Sequence, residues 1–116
     1  IRLLRKLITN LPQLTTEFDI SIFESHHSTK KDSPSGTAKT LQTDLLKHGI
    51  QQVPILSHRG GGIRGIHEII LAGNNEILTL KHEALDRSVF AEGALKAAVW
   101  LLKQPQGLYN MKHFIP

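Results

Sequence analysis

One short segment of the chain concentrates side chains that can move protons or hold an anion. Glu24 is followed by the paired imidazoles of His26 and His27, and Lys30 lies four positions after His26. Imidazoles titrate near neutral pH, and in a compact loop an ammonium group at this spacing can act on the same ligand. Ser35 then predicts a helix start, whose first N–H groups have no partner within the helix. Together these residue types favour a site that binds a small polyanion and gives it a proton.

The predicted helix start adds a second kind of anion contact. Residues 35–37 read Ser-Gly-Thr, and Ser35 is a suitable N-cap for the helix that follows. Gly36 has no side chain, so backbone N–H groups at Gly36 and Thr37 can approach a ligand carboxylate closely. From spacing alone, the segment predicts an anion site with an adjacent proton donor.

Two other kinds of site compete with this interpretation. A zinc site would combine one of two carboxylates with several of the histidines: Glu24 or Glu68 with His26, His27, His58, His67 and His82. No pair of these histidines has the spacing of the helical H-E-x-x-H motif, and adjacent histidines seldom bind one metal ion together, so no metal ligand is assigned. A serine hydrolase is disfavoured because the chain has no G-x-S-x-G motif.

The elements that position this segment follow from hydrophobic spacing. An opening helix, disturbed or ended by Pro12, is indicated by apolar residues three and four positions apart: Leu3, Leu4, Leu7, Ile8 and Leu11. Alternation predicts a strand over residues 18–24 that delivers the histidines at its carboxyl end. A second helix begins at Ser35, ends at Gly49 and buries a stripe formed by Ala38, Leu41 and Leu45.

The second half of the chain predicts more strands and a last helix. Residues 53–57 form a short strand, and residues 65–73 and 76–84 form a hairpin in which Asn74 and Asn75 adopt positive φ. The last helix, over residues 88–103, is apolar on nearly every side, so more than one layer is expected to bury it. The expected fold class is α+β, a mixed β-sheet with flanking helices.

A glycine-rich run over residues 60–65 satisfies G-x-G-x-x-G letter for letter. A dinucleotide-binding fingerprint requires a helix immediately after the run, with its N-terminus at the pyrophosphate. Residues 66–71 are instead rich in isoleucine and lead directly to the hairpin. The run is therefore interpreted as a flexible connection between strands, with Arg59 and Arg64 as guanidinium groups that an anion can use.

The composition of the chain disfavours several classes of protein and of binding site. The 116 residues fit one domain, and no apolar segment reaches the roughly 20 residues of a membrane span. The absence of cysteine excludes disulfides and thiolate metal sites and is compatible with the cytoplasm. The formal charge is +4, but the 14 lysines and arginines are spread along the chain with few aromatic residues among them, so nucleic acid is not an expected partner.

The segment around His26 resembles the signature of the dihydrodipicolinate reductase family, also called 4-hydroxy-tetrahydrodipicolinate reductase. The matching pattern is Glu24-x-His26-His27-x-x-Lys30-x-Asp32-x-Pro34-Ser35-Gly36-Thr37-Ala38. The resemblance extends through Ser57-His58-Arg59, Gly62-x-x-Gly65-x-His67 and Glu76-x-Leu78-x-Leu80-x-His82 to Arg87-x-x-Phe90-Ala91-x-Gly93-Ala94-Leu95-x-Ala97-Ala98 and Gly107-Leu108-Tyr109. It covers nearly the whole chain.

The resemblance implies an enzyme of lysine and diaminopimelate biosynthesis that passes a hydride from NADPH or NADH to a cyclic imine dicarboxylate and yields tetrahydrodipicolinate. By position, His26 would be the general acid/base and Lys30 a second proton donor or charge stabiliser. His27, Gly36 and Thr37 would hold the substrate carboxylate. This agrees with the chemistry of the residues, because a proton donor and a cation stabilise the electron density that hydride addition puts on the ring.

The resemblance also implies a domain organisation. Residues 1–116 correspond to the family's substrate-binding and oligomerisation domain, and its N-terminal Rossmann domain, which would bind the cofactor, is absent from this chain. Residues from about 88 to 116 are expected to pack on that missing domain. The sheet is expected to build a homotetramer, with Ile69, Leu71, Leu78 and Leu80 facing neighbouring subunits as well as this chain's helices. The alternative is a non-catalytic dicarboxylate-binding or structural oligomer domain.

Overall fold

The computed structural model of the protein describes residues 1–11 and 17–114. Within these residues the helices are α1 (Arg2–Ile8), α2 (Gly36–Lys47) and α3 (Ser88–Leu101). The strands are β1 (Asp19–His26), β2 (Ile55–Arg59), β3 (Ile66–Ala72) and β4 (Ile77–Glu83). No helix in the described part of the chain is long and apolar enough to cross a membrane.

The four strands form one mixed sheet in the order β2-β1-β3-β4. Strand β1 pairs parallel with β2, so α2 lies in the crossover between them, and it pairs antiparallel with β3. Strands β3 and β4 form an antiparallel hairpin. The predicted mixed sheet with flanking helices is therefore confirmed.

The core lies between one face of the sheet and the first two helices. The alternating residues of β1 and β3 that face the helices are fully or almost fully buried: Ile20, Ile22, Ile69 and Leu71. The helices contribute Leu4 and Ile8 from α1 and the predicted stripe from α2. Burying one such side chain contributes roughly 1.5–3 kcal/mol to stability, so this layer stabilises the sheet end that carries the site.

The opening helix is shorter than predicted and buries a narrower stripe. It ends at Ile8 with Thr9 as C-cap, and Pro12 lies outside the described residues. Leu3 is 70% and Leu7 is 45% exposed, so only part of the predicted apolar stripe is buried. A helix of seven residues packs only one row of side chains four apart, which here is Leu4 and Ile8.

The β3–β4 turn differs from its prediction. The hairpin is present, but Ala72 pairs with Ile77, so the connection has four residues, closed by the Gly73 N–H donating to the Glu76 carbonyl at 2.9 Å. Among the described residues, no residue other than glycine has positive φ, so the predicted positive φ of Asn74 and Asn75 is wrong. A longer loop does not require the left-handed backbone of a two-residue turn.

The chain divides into two compact units, Ile1–Glu83 and Ala84–Pro116. The second unit consists of α3 and the segment after it, where Trp100 lies against Tyr109 and Phe114 with ring centroids 5.5 and 5.6 Å away. No residue of α3 is buried. The helix is apolar as predicted, but the described residues leave its side chains at least partly exposed.

Candidate active site

A completely buried carboxylate, that of Glu24, is the centre of the site. The Arg59 guanidinium donates to both of its oxygens, from Nη1 to Oε2 at 2.8 Å and from Nη2 to Oε1 at 2.9 Å. The Ser35 backbone N–H donates to Oε1 at 3.0 Å, and His26 Nδ1 lies 2.6 Å from Oε2. Burial alone would raise the pKa of Glu24, but the hydrogen bonds from Arg59, His26 and Ser35 outweigh it and lower that pKa to about 2. Glu24 is therefore an anion at neutral pH.

Sheet pairing explains how these groups meet. Parallel register places His26 directly beside Arg59, two residues after Glu24, so the three side chains lie on the helix face of the sheet. Arg59 also donates from Nη2 to the Asp32 carbonyl at 2.7 Å, which fastens the loop after β1 to the end of β2. The expectation that Arg59 is available to an external anion is therefore wrong, because its guanidinium is committed to Glu24.

The second nitrogen of the His26 ring faces the glycine-rich run. Gly65 has φ +153°, and a Cβ at this position would lie 3.3 Å from His26 Nε2, closer than ordinary contact. The run leads into strand β3 and not into a helix, which confirms that it is a strand connection. It is also hydrogen-bonded to the end of β1 and to the loop after it. The Gly60 N–H donates to the His26 carbonyl and the Ser28 N–H donates to the Gly61 carbonyl, both at 3.0 Å.

A second imidazole, that of His67, lies beside His26. Their ring centroids are 5.1 Å apart in an edge-to-face arrangement, and His67 Nε2 lies 3.0 Å from Ser35 Oγ. Ser35 is also the N-cap of α2, since its Oγ accepts from the Ala38 N–H at 3.1 Å. Burial, and repulsion from the neighbouring His26 ring whenever that ring is protonated, lower the pKa of His67 to about 4, although Glu24 opposes this shift. His67 is therefore neutral at physiological pH, and the Ser35 hydroxyl can donate to it.

The loop after β1 carries the other predicted residues. His27 Nδ1 lies 2.8 Å from Thr29 Oγ1, and Lys30 Nζ lies 2.7 Å from Asp32 Oδ1. Gly36 and Thr37 form the first turn of α2, where backbone N–H groups have no partner within the helix. The structure thus places all five predicted residues in one stretch, from the end of β1 to the start of α2, while the direct partners of His26 are other groups.

The five histidines of the zinc alternative do not all lie on one face of the sheet. His58 lies on the opposite face from His26, with Nδ1 2.7 Å from Ser25 Oγ. Among residues 1–11 and 17–114, no group of three or more histidine, aspartate or glutamate side chains is placed to hold a metal ion. Both oxygens of Glu24 already accept hydrogen bonds from protein donors.

Sequence reasoning missed Arg59 and His67 as parts of the site. Strand alternation offered a signal, because His67 is in phase with the buried Ile69 and Leu71 and is itself 4% exposed. The pairing of Arg59 with Glu24 could not be predicted from neighbouring residues, because the two residues are 35 positions apart in the sequence. They meet only through the parallel register of β1 and β2.

The family model described as "Dihydrodipicolinate reductase, C-terminus" matches residues 1–115. A curated relative named 4-hydroxy-tetrahydrodipicolinate reductase, from Rickettsia rickettsii (strain Sheila Smith), is 43% identical over 124 residues, which cover 95% of this chain and 52% of the relative. A relative of the same name from Bdellovibrio bacteriovorus is 49% identical over 98 residues, covering 84% of this chain and 43% of the relative. The chain thus spans about half the length of the curated relatives it matches.

A solved structure has the same fold. It is that of the dipicolinate-bound dihydrodipicolinate reductase from Paenisporosarcina sp. TG-14, and it matches with a TM-score of 0.79 at 21% identity. The match covers 98% of this chain and 50% of that one. The sequence resemblance and the predicted fold class are both confirmed.

Proposed function

Because the chain belongs to the dihydrodipicolinate reductase C-terminal family, we propose that it is the substrate-binding part of an NAD(P)H-dependent reductase. The reaction would convert 4-hydroxy-tetrahydrodipicolinate to tetrahydrodipicolinate in lysine and diaminopimelate biosynthesis. The observation that carries this proposal is the buried Glu24–His26 pair at the end of β1, next to the first turn of α2. This pair puts a proton donor next to the helix start, where backbone N–H groups can bind a substrate carboxylate.

The proposed reaction requires one hydride and one proton. The substrate loses its 4-hydroxyl group as water, accepts a hydride at the ring and takes up one proton, so that atoms and charge balance. His26 supplies the proton in this scheme, and its remaining nitrogen stays bonded to Glu24. Lys30 provides a positive charge or a second proton in the same loop, where its ammonium already pairs with Asp32.

The dicarboxylate would be held at the start of α2. Gly36 and Thr37 present backbone N–H groups of the first turn, and His27 offers an imidazole from the loop. The positive end of the helix dipole favours an anion at this position. The reductase from Paenisporosarcina, whose fold this chain shares, has a flat dicarboxylate of this kind, dipicolinate, bound to it.

The residues described in this chain do not fit a dinucleotide. The G-x-G-x-x-G run is followed by strand β3, so it has no helix N-terminus to receive a pyrophosphate. NADPH or NADH would supply the hydride, and we assign its binding mainly to the nucleotide-binding domain implied by the resemblance. Assembly as a homotetramer and a cytoplasmic location also stay predictions.

Kinetics of the full-length enzyme, meaning this chain joined to that domain, test the proposal. We expect His26→Ala to lower kcat by roughly two to four orders of magnitude and Lys30→Ala to cause a similar loss, with a higher KM if the ammonium also binds the ground state. Lys31→Ala is the matched control, because it removes the neighbouring exposed lysine. Titration with pyridine-2,6-dicarboxylate should shift the NMR signals of His26 and His27.

The outcomes separate the candidate functions. Unchanged turnover in His26→Ala would remove this imidazole from the mechanism. Binding of the dicarboxylate without any reductase activity in the full-length protein would favour the alternative, a non-catalytic dicarboxylate-binding or structural oligomer domain.

A further inference from the structure

We infer that Glu24, held in place by Arg59, is a positioning residue that fixes the proton of neutral His26 on Nδ1 and thereby makes Nε2 the nitrogen that gives up a proton. The inference rests on the proposed function, because the choice of nitrogen matters only if His26 is the proton donor. It gives Glu24 and Arg59 a role in proton transfer, which the sequence alone assigned to neither of them.

The first step is the chemistry of the contact between His26 and Glu24. An ionised carboxylate has only acceptor sites, so the nitrogen that lies 2.6 Å from Glu24 Oε2 must carry a hydrogen. That nitrogen is Nδ1 in the neutral ring as well as in the imidazolium. The proton that His26 gives up therefore leaves from Nε2.

The second step is the rigidity of the carboxylate. Glu24 is completely buried, and its two oxygens receive the forked guanidinium of Arg59 together with the Ser35 N–H. Arg59 in turn donates to the carbonyls of His58 and Asp32 at 2.8 and 2.7 Å. Two segments of the chain, the end of β2 and the loop that leads into α2, thus fix the plane of the carboxylate, and the carboxylate fixes the rotation of the imidazole.

The third step is the direction in which the free nitrogen points. With Nδ1 directed at Glu24, Nε2 lies on the side of Gly65, where the absence of a Cβ leaves room. The ring keeps 11% of its side-chain surface exposed, so it is not sealed from a ligand. A flipped ring would turn Nδ1 away from its acceptor and leave the buried carboxylate with one partner fewer.

A purely structural ion pair is the competing explanation, and Glu24→Gln distinguishes the two. Two donors, Arg59 Nη2 and the Ser35 N–H, converge on the Oε1 position, so the amide oxygen of glutamine should take that place. The amide NH₂ group would then face His26 Nδ1, which becomes an acceptor. The proton of neutral His26 should move to Nε2.

The test uses full-length enzyme with ¹⁵N-labelled histidine, at a pH where imidazoles are neutral. In the parent protein the ¹⁵N shifts should place the His26 proton on Nδ1, and in Glu24→Gln they should place it mainly on Nε2. We expect kcat to fall about 100-fold with KM changed less than about threefold, because the substrate contacts remain. His26→Ala provides the lower limit for activity without the imidazole.

Asp44→Asn is the matched control. Asp44 forms a comparable pair with Arg5, with Oδ2 2.6 Å from Nε, but this pair joins α2 to α1 and the partner of the carboxylate is a guanidinium rather than the imidazole of His26. The control should leave the His26 shifts unchanged and kcat within about twofold. If it lowers kcat as much as Glu24→Gln does, the loss reports lost stability and the inference is overturned.

The remaining outcomes are also decisive. A Glu24→Gln enzyme whose His26 proton stays on Nδ1 overturns the inference, whether or not kcat falls. Parent activity in His26→Ala refutes the proposed proton donor itself, which is a different failure. Should Glu24→Gln not fold, the double variant Glu24→Gln/Arg59→Met removes both buried charges, and His26 should then populate both tautomers. Exclusive Nδ1 protonation in that variant would contradict the role of Glu24.

Discussion

His67 shows how one buried residue makes the stability of the site depend on pH. Its pKa is lowered to about 4 from an ordinary value of 6.5, mainly by burial and then by repulsion from the neighbouring imidazole of His26 when that ring is protonated. Between these values the unfolded chain binds a proton that the folded chain does not, so stability falls as the pH falls from about 6.5 to about 4. Glu24 affects stability in a separate pH range. Its pKa is lowered from 4.5 to about 2, so its contribution to the free energy of unfolding is lost as the pH falls below about 4.5.

Replacing His67 should therefore flatten the pH dependence of stability. Glutamine places an amide near Ser35 Oγ and does not titrate. We expect the loss in the free energy of unfolding between about pH 7 and about pH 5 to be smaller in His67→Gln by about 2 kcal/mol. Urea denaturation at the two pH values measures it, with His48→Gln at the end of α2 as the control. An equally steep loss in both variants would show that His67 is not the group responsible.

At the scale of elements, the connection over residues 60–65 requires glycine for two separate reasons: a positive φ, and a close approach to the imidazole of His26. Gly61 and Gly65 both have positive φ, at +48° and +153°, but only Gly65 lies against His26. At Gly62 neither condition holds, because its φ is not positive and an added Cβ would meet nothing within 4 Å. Three alanine substitutions in one run therefore separate backbone strain from contact with the imidazole.

We expect Gly62→Ala to be nearly neutral and Gly61→Ala to cost about 1 kcal/mol of stability at normal kcat. Gly65→Ala should cost a similar amount of stability and also lower kcat by about tenfold or more, because the added Cβ presses on His26 Nε2. Unfolding midpoints and steady-state kinetics of the three full-length variants provide the comparison. Equal kcat in Gly61→Ala and Gly65→Ala would show that the approach to His26 has no catalytic consequence.

The same elements show what the sequence could predict. Hydrophobic periodicity and the glycine argument identified the type and order of every predicted helix and strand, because these signals are local. The turn at Asn74-Asn75 failed because two turn residues do not determine loop length. In the site, the loop from His26 to Thr37 was found through its composition, whereas the Glu24–Arg59 pair arises from strand pairing that periodicity does not specify.

At the scale of the whole molecule, the outer face of the sheet is the surface to consider for assembly. Ile69 and Leu71 were expected to face this chain's helices as well as neighbouring subunits. Both are completely buried in the core with residues of α1 and α2, which confirms the helix contact, whereas the subunit contact stays a prediction. Period-two alternation identifies the two faces of a strand without saying which of them the helices cover. The opposite face carries partly exposed apolar side chains from two adjacent strands: Phe23, Ile66 and Ile70.

If the proposed homotetramer forms through this face, a charge at its centre should break it. Ile70→Lys places an ammonium on the outer face, where burial against another subunit would cost its desolvation. We expect light scattering on the full-length enzyme to show a species smaller than the parent tetramer. Leu46→Lys is the control, because it makes the same kind of change at a 43%-exposed position on α2 and should keep the parent mass. A tetramer that survives Ile70→Lys while Leu46→Lys dissociates would move the interface from the sheet to the helices.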